Sequence, residues 1–536
     1  MIADGDNYKI SWKWSTLLLL TLCFSKTLSD SATKPVNLVV IQVDQLGWGD
    51  VGLYSPWRTD TPNIDQLANS GVVLDNLYAE TSATASAGTF LSGKLAVSWG
   101  LYSSNNAEDA TLLEDTGFVP PSSLTMLPQV LKEKGYNTKY VGRWNLGQRT
   151  EANPTKFGFD SFLGTVSDRG PKYDNLRFPN IGFYRNERIV ARIFDTKTPE
   201  DDLINDGVSN LTKVYTDEME AFLTKSKGQP FYLHVSLDAL KHRPYRSPQF
   251  VASSAHTRST NYTDALREID NFVGVMMKTL RSTEQVNNTI VIFAAQSTAL
   301  ASHYEAGSNS PFTGATGDST EGGVRVPGVI SCPGLDFGDN RRFDQLMNFA
   351  DLHSTALSLL GFTPGECEEP KCVKEGMDMT MSLFTGNTTN HRDTITIYRG
   401  RTLMALRKGR YKVHLMSRSS FVPGQFLDNL TSYQLRNTTE LPILFDVVAD
   451  PGERFFIGGG FELSSSRYTD ILPELRKEAE YVRNHVTLGG GLLNECNVGW
   501  REWTPTGCLD MELCVEFTRE SRVRMCSIPE WTGLGI

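Results

Sequence analysis

Residues Asn37 to Val43 read NLVVIQV, a short, nearly continuous apolar run rich in β-branched side chains, which suits a strand covered on both faces. Asp44 stands at its C-terminal end. Thr61-Pro62 places an N-cap before a proline at the first helical position, and Gly71 is expected to close that helix. Met126 to Lys134 reads as a helix ended by Gly135, Thr138 to Val141 as a strand, and Phe231 to Val235 as another. From Ala265, the apolar side chains Leu266, Ile269, Phe272, Val273 and Met276 recur at helical spacing. Ile290 to Ala295 then returns to an unbroken apolar run. This alternation predicts an α/β domain, and ligands of such sheets gather beyond the C-terminal ends of the strands. Asp44, Gln45, Gln296 and Ser297 therefore mark one candidate cleft. Past about residue 390 the character changes. Thr394 to Tyr398, Thr402 to Leu406, Tyr411 to Leu415 and Leu441 to Val447 read as short strands between turn residues, predicting a smaller antiparallel sheet with a helix over 472–483.

Composition adds limits rather than a class. With 536 residues, 40% hydrophobic and 21% charged, the chain can bury a large core. Its 52 basic against 62 acidic side chains give a net charge of −10, and no basic run follows a phosphate backbone, so nucleic acid is not an expected partner.

The N-terminus reads as a targeting segment. Lys9 and Lys13 precede the apolar run Leu17 to Phe24, and small residues follow it, which is the layout of a secretory signal over residues 1–25. The run is about half of the ~20 residues that cross a bilayer, so no membrane span is expected in the mature chain. Sequons at Asn210, Asn261, Asn287, Asn387, Asn429 and Asn437 agree with a secreted glycoprotein, whereas Pro154 disqualifies Asn153. Of the 8 cysteines, Cys23 leaves with the signal and Cys496, Cys508, Cys514 and Cys526 crowd the end of the chain, a pattern of a disulfide-stapled tail. Cys367 and Cys372 are placed to close a small loop, and Cys332, after an apolar run, is expected as a buried free thiol. The expected organisation is a signal at 1–25, a large α/β domain at 33–390, an antiparallel α+β domain at 391–490 and the tail at 491–536.

Several ordered segments carry a resemblance: VDQLGWGD at 43–50, TPNIDQLA at 61–68, LSGK at 91–94, VGRWNLG at 141–147, EGGVRVP at 321–327, YRGRTLMA at 398–405 and DPGERF at 450–455. Together they are similar to the sulfatase family. The resemblance implies the alkaline-phosphatase-like sulfatase fold, a large mixed sheet flanked by helices plus a smaller C-terminal antiparallel sheet. It also implies bridges Cys496–Cys526 and Cys508–Cys514, while another family disulfide is missing at both ends, near Gly314 and Val422. Sulfatases resembling this chain cleave sulfate esters with a formylglycine hydrate made from the cysteine of a CxPSR motif. Calcium held by three Asp and one Asn polarises the sulfate, and Lys, His and Arg neutralise its oxygens. A hard cation wants anionic oxygen ligands, and an anionic ester wants dense positive charge.

Laid on that pattern, this chain lacks the working groups. CxPSR falls on Ala83-Thr84-Ala85-Ser86-Ala87, so the nucleophile position is a methyl and the stabilising arginine is Ala87. The metal ligands fall on Asp44, Gln45, Gln296 and Ser297, one carboxylate where the family has three, and no calcium is expected to bind tightly. GKWHLG becomes a segment with Arg143 and Asn145, which keeps a charge but no titratable ring. A family lysine falls at Thr316. A second family histidine aligns with Lys241, and His242 beside it restores the ring on a one-residue shift. Asp44 is expected to act as a helix cap or loop hydrogen-bond acceptor, while Arg143 reads equally as an anion ligand or a structural ion pair. The implied function is a secreted or lysosomal sulfatase-like glycoprotein without catalysis or cofactor. Its candidate partners are a sulfated glycan in the old cleft and a second sulfatase-fold chain, as a homodimer or with an active relative. The rival is an active sulfuric or phosphate ester hydrolase with Ser82, Thr84 or Ser86 as nucleophile.

Overall fold

The computed structural model describes residues 36–492 except 56–59, 103–118, 148–149, 167–180, 194–210, 242–243, 252–259, 301–306, 339–340, 364–374, 387–390, 419–434, 438–441 and 458–465. The signal segment, the four tail cysteines, Cys367, Cys372, His242 and the sequons at Asn210, Asn387 and Asn429 lie outside the described residues. Of the other sequons, Asn287 is exposed, Asn261 opens a helix and Asn437 ends a short strand.

Among the described residues the apolar runs assemble one ten-stranded sheet. In chain order its strands are β1 (Asn37–Val43), β2 (Gly71–Leu74), β3 (Asn137–Arg143), β4 (Ser161–Thr165), β5 (Ile181–Arg185), β6 (Arg188–Ile193), β7 (Phe231–Leu237), β8 (Thr289–Ala295), β9 (Gly328–Ser331) and β10 (Arg342–Phe343). Their spatial order is β10-β2-β9-β8-β1-β7-β3-β4-β5-β6. The central strands β8, β1, β7, β3 and β4 run parallel, while β9, β5 and β6 are antiparallel to their neighbours, so the sheet is mixed as expected. Every residue of β1, β7 and β8 is buried, which is why their sequences are mostly apolar instead of alternating, and their few polar side chains, Asn37, Gln42, His234, Ser236 and Thr289, are buried too.

Helices α1 (Pro62–Asn69), α2 (Ala83–Ser92), α3 (Leu127–Glu133), α4 (Leu211–Lys225), α5 (Asn261–Ser282) and α6 (Phe349–Leu359) flank the sheet. Gly71 does not close α1. The helix ends at Asn69 with Ser70 as its C-cap, and Gly71 is the first residue of β2, where a Cβ would lie 2.2 Å from the carbonyl oxygen of Ile330. Thr61 does precede Pro62 at the N-cap, but its hydroxyl donates to Asp65 and accepts from the Gly52 N–H instead of capping the helix.

The C-terminal strands β11 (Thr394–Arg399), β12 (Thr402–Lys408), β13 (Tyr411–His414) and β14 (Ile443–Asp446) form the smaller antiparallel sheet. Helix α7 (Ser466–His485) packs on it through Leu472, Leu475, Ala479 and Val482. Cys332 is 1% exposed, in keeping with the buried thiol expected there. No helix among the described residues is long and apolar enough to cross a membrane.

Candidate functional site

The parallel registers level the strand ends. Val43 lies opposite both Leu237 and Ala295, so the residues that follow β1, β7 and β8 emerge side by side. The ladder runs one step further, with Asp44 N–H donating to Leu237 O at 2.9 Å and Gln296 N–H to Val43 O at 2.8 Å. On the far side of β7, Gly142 adopts φ +107°, and a Cβ there would meet the Ser236 carbonyl at 2.0 Å. That close approach lets Arg143, the last residue of β3, turn across the end of β7 toward β1. The Tyr140 hydroxyl holds the Arg143 carbonyl at 2.6 Å.

Asp44, 2% exposed, is the hub. Its Oδ2 accepts from Arg143 Nη2 at 2.7 Å and lies 3.7 Å from Lys241 Nζ, while Oδ1 accepts from the Ser297 hydroxyl at 2.5 Å. Ser297 Oγ also accepts from the Gln45 N–H at 2.9 Å, with Gln45 in the left-handed region at φ 55°. Burial by itself pushes the Asp44 pKa up. Arg143 first, then Lys241, the Ser297 hydroxyl and the Gln45 N–H outweigh it, so the carboxyl titrates below its ordinary range. Asp44 is therefore neither a helix cap nor a simple loop acceptor. It anchors a buried ion pair, and Arg143 is that pair's cation rather than a free anion ligand.

The other candidate positions sit around this hub. Gln296 is buried, its amide nitrogen 3.3 Å from the Ser236 hydroxyl and its Oε1 without a hydrogen-bond partner among the described residues. Ala83 is the first residue of α2, and Ala87 is buried one turn on. The N-terminus of α2 reaches the site through Thr84, whose hydroxyl accepts from the Asn145 amide two residues beyond Arg143. Thr316 is tied to the chain following β8, its N–H 3.5 Å from the carbonyl of Ala299, two residues past Ser297.

Two chemical tests follow. The calcium that the family resemblance implies needs several anionic oxygens. At the four positions that the resemblance assigns to the ion, one carboxylate stands with two amides and a hydroxyl, and both its oxygens are engaged by the protein, while Asp238, buried just past β7, accepts from the Tyr245 hydroxyl at 2.7 Å. Among the described residues no group of three or more His, Cys, Asp or Glu is arranged to hold a metal. The residues present do not fit the ion. A hydroxyl nucleophile needs a base within hydrogen-bond reach. Ser82 Oγ caps α2 by accepting from Ala85 N–H at 3.2 Å. Ser86 Oγ donates to the Ser82 carbonyl at 3.0 Å and accepts from Glu80 N–H at 3.0 Å. Thr84 meets an amide donor. None of these partners takes a proton at neutral pH.

A second buried cluster was not legible as a site. Glu321, 0% exposed, accepts from Lys412 at 3.0 Å, Arg407 at 3.3 Å, Arg325 at 3.4 Å and the Tyr78 hydroxyl at 2.5 Å. Glu453 bridges Lys412 at 3.2 Å and His414 at 2.7 Å, and accepts from the Glu321 N–H at 2.6 Å. Burial opposes the charge on Glu321, but Lys412, Arg407 and Arg325 together hold its pKa down at about 2. The cluster ties the turn at 321–324 to strands β12 and β13 and to the segment before residue 458. Its only signal in the sequence is the pair of acidic segments EGGVRVP and DPGERF.

Comparison with known proteins gives a consistent picture. Residues 36–362 match the family profile described as Sulfatase, and residues 390–516 that described as the C-terminal region of aryl-sulfatase. The chain is 33% identical over 529 residues to N-acetylgalactosamine-6-sulfatase of Canis lupus familiaris, spanning 96% of this chain and 98% of the relative. It is 27% identical to arylsulfatase A of Homo sapiens, over 86% of this chain and 90% of that one. Among solved structures, the PsFucS1 sulfatase from Pseudoalteromonas sp. superposes with a TM-score of 0.69 at 23% identity, covering 88% of this chain and 95% of that one.

Proposed function

The chain belongs to the sulfatase family, and we propose that it is a member without sulfuric-ester hydrolase activity, acting in the secretory pathway, lysosomal or extracellular, as a binding protein. The observation that carries this reading is Ala83 at the start of α2. At the position where the family resemblance calls for an oxidisable cysteine, this side chain is a methyl group, which forms no bond to sulfur and takes no proton. The closed pairing of Asp44 supports it, since both oxygens of the one carboxylate at the family's metal-ligand positions are taken by Arg143 and Ser297.

Each absent nucleophile, acid or charge clamp is worth roughly 10²–10⁴ in rate, and their losses are not additive. Removal of the nucleophile alone suffices to stop a covalent mechanism. The hydroxyls of Ser82, Thr84 and Ser86 do not restore one, because their partners are backbone groups and an amide. The relative named N-acetylgalactosamine-6-sulfatase suggests the class of glycan to test as a ligand. With Arg143 held by Asp44 at 2.7 Å, the looser contact of Lys241 with Asp44, 3.7 Å, makes Lys241 the cation of this cluster that a sulfated glycan would compete for.

The test is turnover. Purified protein incubated with 6-sulfated galactose and N-acetylgalactosamine esters is expected to release no more sulfate than a heat-killed control. Sustained release above that control refutes the reading. Binding of the same glycans, measured by titration calorimetry against unsulfated counterparts, separates a glycan-binding role from association with another sulfatase-fold chain.

A further inference from the structure

We propose that Arg143, assisted by Lys241, has replaced the divalent cation of the family as the counter-ion of Asp44, forming a metal-independent lock across the ends of β1, β3, β7 and β8. The inference deepens the non-catalytic reading and rests on it for the identity of the cleft.

The argument begins with connectivity. Asp44 follows β1 at the middle of the sheet, and its carboxylate takes one partner from the end of each of three other strands. Arg143 ends β3, Lys241 lies four residues past β7, and Ser297 lies two residues past β8. A metal ion does the same in a ligand shell, drawing side chains from several strand ends to one point. Here the geometry is inverted, with an anion at the centre and donors around it.

Charge and shape both accommodate the exchange. With Gln45 and Gln296 neutral, a dication at this point meets one carboxylate and is under-compensated, whereas a guanidinium meets its match. Arg143 and Asp44 are each 2% exposed, so neither charge is buried without its partner. Arginine suits the position, because its guanidinium keeps its charge when buried and its Nη2 reaches Asp44 Oδ2 at 2.7 Å from a fixed base. The Gly142 backbone and the Tyr140 bond to the Arg143 carbonyl fix that base. An ion seeking Asp44 Oδ2 has to displace both a buried guanidinium and a nearby ammonium. Seeking Oδ1, it has to break the Ser297 bond that also holds the Gln45 N–H.

The experiment uses the full secreted chain in two arms. In the first, thermal unfolding is followed in excess calcium chloride and in EDTA, and the midpoint is expected to be the same in both. A saturable rise with calcium overturns the lock. In the second, Asp44→Asn, Arg143→Met and the double variant form a cycle. Each single change is expected to lower the denaturation midpoint, and the double to fall less than the sum of the two. Additive losses overturn the proposal. If Asp44→Asn does not fold, Arg143→Lys and Asp44→Glu, which keep the charges and alter the reach, measure the same coupling. Sulfate turnover in EDTA refutes the non-catalytic reading and leaves the lock intact, while calcium binding without turnover does the reverse.

Discussion

Glu321 joins three cations at one buried carboxylate, so removing its charge perturbs all three at once. Substituting Glu321→Gln keeps the shape and removes one charge from a site where Lys412, Arg407 and Arg325 converge at 3.0, 3.3 and 3.4 Å. Glu453, 3.2 Å from Lys412, cannot neutralise all three. The three cations hold the carboxyl well below its ordinary range, so the ionised form is the one that stabilises the fold. Breaking a buried pair by removing one partner costs roughly 3–5 kcal/mol in general. Because the folded pKa is depressed, this stability is present above pH 4.5 and is lost as the pH falls toward 2. Urea unfolding of the full chain at neutral pH is expected to show a loss of about 3–5 kcal/mol for the variant. Between pH 4.5 and 2 the parent is expected to lose stability more steeply than the variant. A neutral-pH loss below about 0.5 kcal/mol, the ordinary range for surface changes, refutes the assignment of Glu321 as a buried anchor.

Other expectations follow from single observations. Gly142→Ala puts a Cβ 2.0 Å from the Ser236 carbonyl at φ +107°, and should lower the yield of folded protein severely, read by size-exclusion chromatography. Glu80 is pushed up to about 7 by burial, with Glu375 adding to it, so its contribution to stability is full below pH 4.5 and declines as the pH rises through 7. Glu80→Gln should flatten that decline and gain about 1–3 kcal/mol at pH 7, measured by urea titration across the range. Ala83→Cys should remain without sulfate turnover, because Asp44 stays closed by Arg143; activity in that single variant contradicts the role given to the ion pair. Burial pushes the Cys332 thiol up, so site-resolved mass spectrometry should find it unalkylated at neutral pH until denaturant is added.

Much of the scaffold was legible because burial on both faces writes itself as unbroken apolar runs. β1, β7 and β8 could be placed within a residue or two, and the helical spacing from Leu266 to Met276 located the middle of α5. α2 was not, since its Ser, Thr and Gly positions give no periodic stripe. Gly71 misled because a glycine after a helix resembles a cap, whereas here it answers to the Ile330 carbonyl of a strand more than 250 residues away. The candidate cleft at the strand ends followed from the general behaviour of parallel sheets, and its residues do gather there. Their pairing was not legible. Asp44 and Arg143 are 99 positions apart, and only the strand order β1-β7-β3 with the bend at Gly142 brings them to 2.7 Å. Lys412 and His414 fall in the segment from Tyr411 to Leu415, which reads only as a short strand. They are 0% and 1% exposed because two carboxylates from distant loops meet them.

The absence of sulfate-ester chemistry is tested most directly by a single-turnover experiment, with the protein in molar excess over a radiolabelled 6-sulfated N-acetylgalactosamine substrate. Working in excess protein detects even one slow, incomplete cycle that a steady-state assay overlooks. The result expected is free sulfate indistinguishable from that of heat-killed protein after prolonged incubation. Release approaching one equivalent per substrate contradicts the central claim.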